Sequence, residues 1–123
     1  MPSLDLFVVV LNYNTRELLR ACLDSLRRQT GLAFEACVVD NASSDESADM
    51  VAGFFPEVRL VRSPSNAGFS AGNNLGLAAA GWPMNGNARY AMLLNPDTVV
   101  PDGALAAMVA YADAHPDVGV AGP

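Results

Sequence analysis

The chain has 123 residues, with 13 acidic side chains against seven basic ones, all arginine, for a formal net charge of −6. It is 51% apolar and 16% charged, enough to bury a core and too apolar for a disordered chain. The lack of any basic cluster excludes a nucleic-acid-coating role and leaves backbone amides, helix N-termini or a metal ion to hold a polyanionic ligand. The size fits one domain or part of one. The apolar run Leu6–Leu11 is far too short to span a bilayer, and no basic segment precedes it as in a signal peptide. Cys22 and Cys37 fall in predicted regular structure and read as buried, reduced thiols, which fits a cytoplasmic chain.

In chain order, Leu6–Leu11 is continuously apolar and β-branched, the pattern of a strand buried on both faces. Asn14, followed three positions later by Glu17, resembles a capping box. Leu18, Leu19, Cys22, Leu23 and Leu26 then recur at helical spacing, and Gly31 is expected to close that helix. Ala36–Asp40 is a second predicted strand. Ser43 or Ser44, with Asp45 and Glu46, is expected to open a second helix whose apolar face is Ala48, Val51, Phe54 and Phe55. A short strand over Val58–Val61, a helix over Phe69–Ala80, a loop over Trp82–Asn87 and a strand over Tyr90–Leu94 follow. A helix over Asp102–Ala114, ended at His115, and a fifth strand over Val118–Ala121 complete the pattern.

Apolar strands alternating with helices predict an α/β fold, a parallel sheet covered on both faces. Ligands of such sheets bind at the carboxyl ends of the strands. Those ends carry Asn12-Tyr13-Asn14, Asp40-Asn-Ala-Ser43 and Asn95-Pro-Asp97-Thr98, so polar groups gather on one edge. An Asp at a strand tip, such as Asp40, can accept a hydrogen bond from a heterocycle N–H or a ribose hydroxyl, or merely fix its turn. Gly68, Gly72 and Gly76 recur along one helical face and require something to approach closely, a neighbouring strand or a ligand's phosphates. Asn73 and Asn74 offer amides to a ribose or pyrophosphate, or to the surface. Pro96 stiffens the exit that presents Asn95 and Asp97, two oxygen-bearing side chains suited to Mg²⁺ or Mn²⁺ beside donor phosphates, or to a metal-free Asx turn.

Four segments in this order, Val9-Val-Leu-Asn-Tyr-Asn14, Val38-Val-Asp-Asn-Ala-Ser-Ser-Asp45, Asn66-Ala-Gly-Phe-Ser-Ala-Gly-Asn-Asn74 and Leu93-Leu-Asn-Pro-Asp-Thr98, resemble family 2 glycosyltransferases, most closely the rhamnosyltransferase-like branch. The resemblance spans nearly the whole chain. It implies a Rossmann-like GT-A fold, a three-layer α/β/α arrangement with central strand order 3-2-1-4 and a mostly parallel sheet. It also implies an inverting, metal-assisted transfer of a sugar from a nucleoside diphosphate to a saccharide or lipid-linked acceptor, in polysaccharide biosynthesis. By this resemblance Asn12, Tyr13 and Asn14 line the base and ribose pocket, Asp40 binds the nucleobase, and Asn66 and Gly68 flank the nucleotide, with Asn73 beside them. Asn95-Pro96-Asp97 stands where the family has its Asp-x-Asp motif: Asp97 would hold Mg²⁺ or Mn²⁺, and Asn95 replaces the first Asp, supplying no charge. The general base is expected beyond Pro123. Location is expected to be cytoplasmic, with peripheral attachment at the inner membrane face as an extension of that reading.

Ending on a strand with no covering helix, the chain is expected to be an N-terminal portion of a longer protein. A sheet cut there leaves an uncovered edge, so self-association is expected. A non-catalytic nucleotide-binding or assembly module is the alternative to an enzyme. A receiver domain is excluded by the missing acids after the first strand and the missing Lys, and a dinucleotide oxidoreductase by Asn-Tyr-Asn-Thr in place of a glycine-rich turn.

Overall fold

A computed structural model describes residues 4–66, 68–81 and 88–116. Eight elements alternate: β1 (Leu4–Asn12), α1 (Arg16–Arg27), β2 (Phe34–Asp40), α2 (Ser47–Phe54), β3 (Arg59–Arg62), α3 (Phe69–Ala79), β4 (Ala88–Leu94) and α4 (Ala104–Ala114). The strands form one parallel sheet of order β3-β2-β1-β4. The predicted fifth strand, Val118–Ala121, and the Trp82–Asn87 loop lie outside the described residues.

β1 is the centre of the sheet and is apolar on both faces, because both are covered. Leu6, Val8 and Val10 point into a cluster with Leu19, Cys22, Leu23 and Leu26 of α1, Met50 and Val51 of α2, and Leu105 and Val109 of α4. Phe7 and Val9 point the other way, with Cys37 and Val39 of β2, toward Leu77 and Ala79 of α3. This is the three-layer arrangement, with α3 alone on its side among the described helices.

Two of the three regularly spaced glycines answer to packing. A Cβ on Gly76 would collide with a methyl of Val9 and press on Val39, and one on Gly72 would collide with Leu11. Neither contact leaves room for a ligand. Gly68 differs: it precedes α3 at φ +89° with nothing close to its missing Cβ.

Local reading placed the start of α3 at Phe69, where it is, but failed at the caps of α1 and α2. α1 begins at Arg16, and its N-cap, Thr15, makes no side-chain capping bond, so Asn14 and Glu17 form no capping box. Asn14 instead adopts a left-handed conformation, φ 51°. α1 also ends at Arg27, four residues before Gly31, which turns the chain at φ +84°. α2 starts only at Ser47, later than Ser43 or Ser44 suggested. Phe54 was expected on its buried face but is 56% exposed, lying instead under the Arg20 guanidinium at 4.6 Å. Its neighbour Phe55 takes the core position. Asp5 accepts the Ala33 N–H at 2.9 Å and pairs with Arg89 at 2.9 Å. Arg89 also holds Asp113 at 2.6 Å, tying the end of α4 to the starts of β1 and β4. His115 caps α4 as expected, stacked on Tyr111.

The stiff, β-branched Val9 and Val39 cannot swing away from a methyl at 76, whereas Leu11 can move its terminal methyls away from one at 72. Gly76→Ala is expected to destabilise the fold by about 1–3 kcal/mol despite its better helix propensity, and Gly72→Ala by less. Urea unfolding of the two variants measures the difference.

Candidate functional site

Register brings the strand exits together. Asn12, the last residue of β1, pairs with Asp40, the last of β2, and Val10 pairs with Leu94, the last of β4. The Asn12–Asn14, Asp40–Asp45 and Asn95–Asp97 segments therefore leave neighbouring strands at the same edge.

The first two of these loops are latched to each other. The Asn12 amide, fully buried, donates to Asp40 Oδ1 at 3.1 Å and to Ser43 Oγ at 3.3 Å, while its Oδ1 accepts the Thr15 hydroxyl at 2.6 Å. The Asn14 N–H donates to Ser43 Oγ at 2.9 Å, and Asn14 Oδ1 accepts the Ser44 N–H at 2.8 Å. Asp45 receives the Arg16 N–H at 3.0 Å on one oxygen and the Ser47 N–H at 3.0 Å on the other. It thereby caps α1 from another loop and α2 from its own. Among the described residues, the three non-glycine residues at positive φ, Asn14, Ala42 and Glu46, all belong to these two loops. Strained backbone of this kind persists where the surroundings over-determine it, as this latch does.

Asp40 is 5% exposed, with Oδ1 held by Asn12 and Oδ2 by the Ser43 N–H at 3.1 Å. The carboxylate thus fixes its own turn, and each oxygen keeps a further acceptor direction. Tyr13 is half exposed between the two asparagines.

A second connection ties in the loop before α3. Asn41, buried, takes its N–H to the Asn12 carbonyl at 2.9 Å and donates its amide to Asn66 Oδ1 at 2.9 Å. Asn66 Oδ1 also receives the Gly68 N–H at 3.0 Å. Asn66 and Gly68 are exposed on this edge. Asn73 is buried, and its amide donates to its own helix at Phe69 O, 3.1 Å away.

Asn95 and Asp97 are both exposed. Among the described residues no side chain pairs with Asp97. Burial pushes the Cys22 thiol up to about 11, and the Asp97 charge adds to it. Cys22 is therefore an inert thiol lying beneath this turn, its Sγ 3.9 Å from the Asn95 carbonyl. The segment that follows the turn is held by two buried polar residues, Ser25 of α1 and Gln29 just after it. Ser25 Oγ accepts the Val100 N–H at 2.9 Å, and Gln29 donates to Val100 O at 3.3 Å and Pro101 O at 3.0 Å while its Oε1 accepts the Leu105 N–H. Among the described residues no three acids, histidines or cysteines cluster to hold a metal ion. A cation here would have Asp97 and, beside it, the Asn95 carboxamide.

Sequence reasoning missed Asn41, Ser25 and Gln29, and read Ser43 and Asp45 only as caps of the following helix. The signal for Ser25 and Gln29 was present: polar side chains at positions i and i+4 on the apolar side of α1 have to satisfy some backbone.

Comparison with known proteins follows the same pattern. The family model for glycosyl transferase family 2 matches residues 7–123. The succinoglycan biosynthesis protein ExoO of Rhizobium meliloti (strain 1021) is 32% identical over 111 residues, covering 89% of this chain and 30% of that protein. In fold, the chain is similar to S. aureus TarS 1–349 in complex with UDP, at TM-score 0.78 and 22% identity over 90% of this chain and 32% of that one. It is also similar to the mannosyltransferase PcManGT from Pyrobaculum calidifontis in complex with GDP-Man and Mn²⁺, at TM-score 0.63 and 23% identity over 81% of this chain and 30% of that one. The chain spans less than a third of the length of each of these relatives.

Burial opposes ionisation of Asp45, but the Ser47 hydroxyl and the N–H groups of Arg16 and Ser47 outweigh it and lower its pKa below 3.8. A lowered folded-state value means that this carboxylate stabilises the fold above the unfolded value and loses that effect as pH falls through the folded one. Asp45→Ala is expected to cost about 0.5–2 kcal/mol near neutral pH. The gap between variant and parent in urea unfolding should close as pH falls below 3.8.

Proposed function

The chain belongs to glycosyl transferase family 2, and we propose from that membership that it is the donor-binding part of an enzyme transferring a sugar, with inversion, from a nucleoside diphosphate to an acceptor hydroxyl. The observation that carries this reading is the convergence of Asp40 and the Asn95–Asp97 turn on one edge of the sheet. The UDP named with TarS and the GDP-mannose and Mn²⁺ named with PcManGT support a nucleotide donor and a divalent cation.

In this reading the acceptor oxygen attacks the anomeric carbon, the bond to the diphosphate breaks, and the acceptor proton passes to a carboxylate base. That base, and the saccharide or lipid-linked acceptor, belong to the whole protein. Asp40 accepts a hydrogen bond from the nucleobase, within a pocket walled by Tyr13 and Asn14. Asn66 and Gly68 flank the nucleotide, and Asn95 stands near the ribose. Asn73, its amide already bonded to Phe69 O, supports the edge of the pocket through α3.

The donor set fits a hard cation in part. Asp97 is a single exposed carboxylate with no competing pair among the described residues, and Mg²⁺ or Mn²⁺ commonly takes one or two carboxylates and completes its shell with substrate phosphates and water. A bound cation supplies charge neutralisation at the departing diphosphate. Asn95 contributes a neutral oxygen, so binding of the ion depends on the donor being present.

A cytoplasmic location, with contact at the inner membrane face, belongs to the same proposal; among the described residues no helix is long and apolar enough to cross a membrane. Self-association is supported by the flank of β4, which has one strand neighbour among the described residues and leaves Leu93 50% exposed.

Calorimetric titration of UDP into the full chain tests the site. Asp97→Ala is expected to abolish the Mn²⁺-dependent part of the affinity, and Asp40→Ala to weaken binding even with the metal chelated. Unchanged affinity in both removes the assignment. Light scattering should find a species larger than the 12.9 kDa monomer, and a monomer that binds no hydrophobic dye refutes self-association.

A further inference from the structure

We propose that Asn12 is a positioning residue and not a donor contact: it acts on the nucleotide only through the Asp40 carboxylate. The proposal rests on the donor-site reading above.

Asn12 ends a strand in which the six preceding residues, Leu6–Leu11, are apolar, and its side chain is wholly buried between two loops. Both hydrogens of its amide are taken, one by Asp40 Oδ1 and one by Ser43 Oγ. Its side-chain oxygen accepts the Thr15 hydroxyl, and its backbone carbonyl accepts the Asn41 N–H. No surface remains on it for a ligand atom to meet. Asp40 is held differently on its two oxygens: Asn12 binds Oδ1 from the neighbouring strand, and the Ser43 N–H binds Oδ2 from its own turn. One donor alone would let the carboxyl group rotate about its χ2 bond, whose preferences are broad. Two donors on opposite oxygens fix the plane in which the carboxylate offers its remaining acceptor directions. The Ser43 hydroxyl is fixed in turn, because it accepts from both Asn12 and the Asn14 N–H. Asn12 is thus the side chain through which the first loop orients the group reading the nucleotide on the second.

A contact residue and a positioning residue differ in a thermodynamic cycle. UDP is titrated into the full chain carrying Asn12→Ala, Asp40→Ala or both. Asn12→Ala is expected to lower affinity by about tenfold, as for loss of a hydrogen bond to a charged group. The double variant should bind no more weakly than Asp40→Ala alone. Additive losses overturn the proposal while leaving the donor site standing, whereas an unchanged affinity in Asp40→Ala removes the donor site and the proposal with it.

A second variant answers the case in which Asn12→Ala does not fold. Asn12→Asp keeps the side chain's size but sets a carboxylate against Asp40, where two like charges favour sharing one proton. Tyr13, Asp45 and Glu46, the other ionisable groups of the two loops, and Arg16 at the start of α1 are common to variant and parent. Relative to the parent, UDP affinity of Asn12→Asp should recover as pH falls from about 8 to about 5, because the shared proton restores a donor to Asp40. A purely structural role for Asn12 would give the variant and parent parallel pH profiles, and that result overturns the proposal.

Discussion

Parallel pairing of β1 with both β2 and β4 governs this molecule, because strands that run the same way release their chains at the same edge. Each release point carries polar residues, and their side chains meet only because the register sets Asn12 beside Asp40. An antiparallel neighbour would send one of these exits to the far end. A one-residue slip would turn the apolar face of β1 toward the wrong layer, which the opposed clusters around Val8 and Val9 forbid. The constraint that builds the core is thus the one that assembles the site.

The layers serve the edge unequally. On the α1 side, Ser25 and Gln29 place buried polar groups against the segment that follows the Asn95–Asp97 turn and hold it at Val100 by hydrogen bonds. On the α3 side, Gly76 lets a helix come close to β1 and β2, setting the start of that helix near the exit of β2. Asn41 then ties that start to Asn66 and Gly68. The polar interactions cluster where the chain must hold strained turns, while the strands rest on apolar packing. Such division is usual where a rigid sheet presents loops that carry function.

Membership of glycosyl transferase family 2 sets this arrangement in context. The family match runs over residues 7–123 of the chain, which covers a minor share of each relative's length. Holding a donor nucleotide is the role proposed above for the chain's own residues.

The elements themselves were legible. Runs of Val, Leu and Cys at strand positions, and apolar residues at helical spacing, report burial directly, and the four described strands contain or closely overlap the first four predicted ones. The polar strand tips gather on one edge, as read, because parallel strands release their chains at the same side. The caps of α1 and α2 were not legible. Local reading assigned caps to Asn14, Ser43 and Ser44, yet the carboxylate that caps α1 is Asp45, 29 residues ahead of Arg16. Phe54 and Phe55 are alike in composition, and only the angle of α2 against the sheet decides which is buried. The glycine spacing announced a close approach without saying to what, and the side chains of Leu11 and Val9 supplied the answer. Sequence determines the periodicities that fix strands, helices and the polar edge, because those depend on neighbours along the chain. Tertiary structure alone decides which side chain serves which loop, because hydrogen bonds such as Asn12 to Asp40 join residues that only the fold brings within reach.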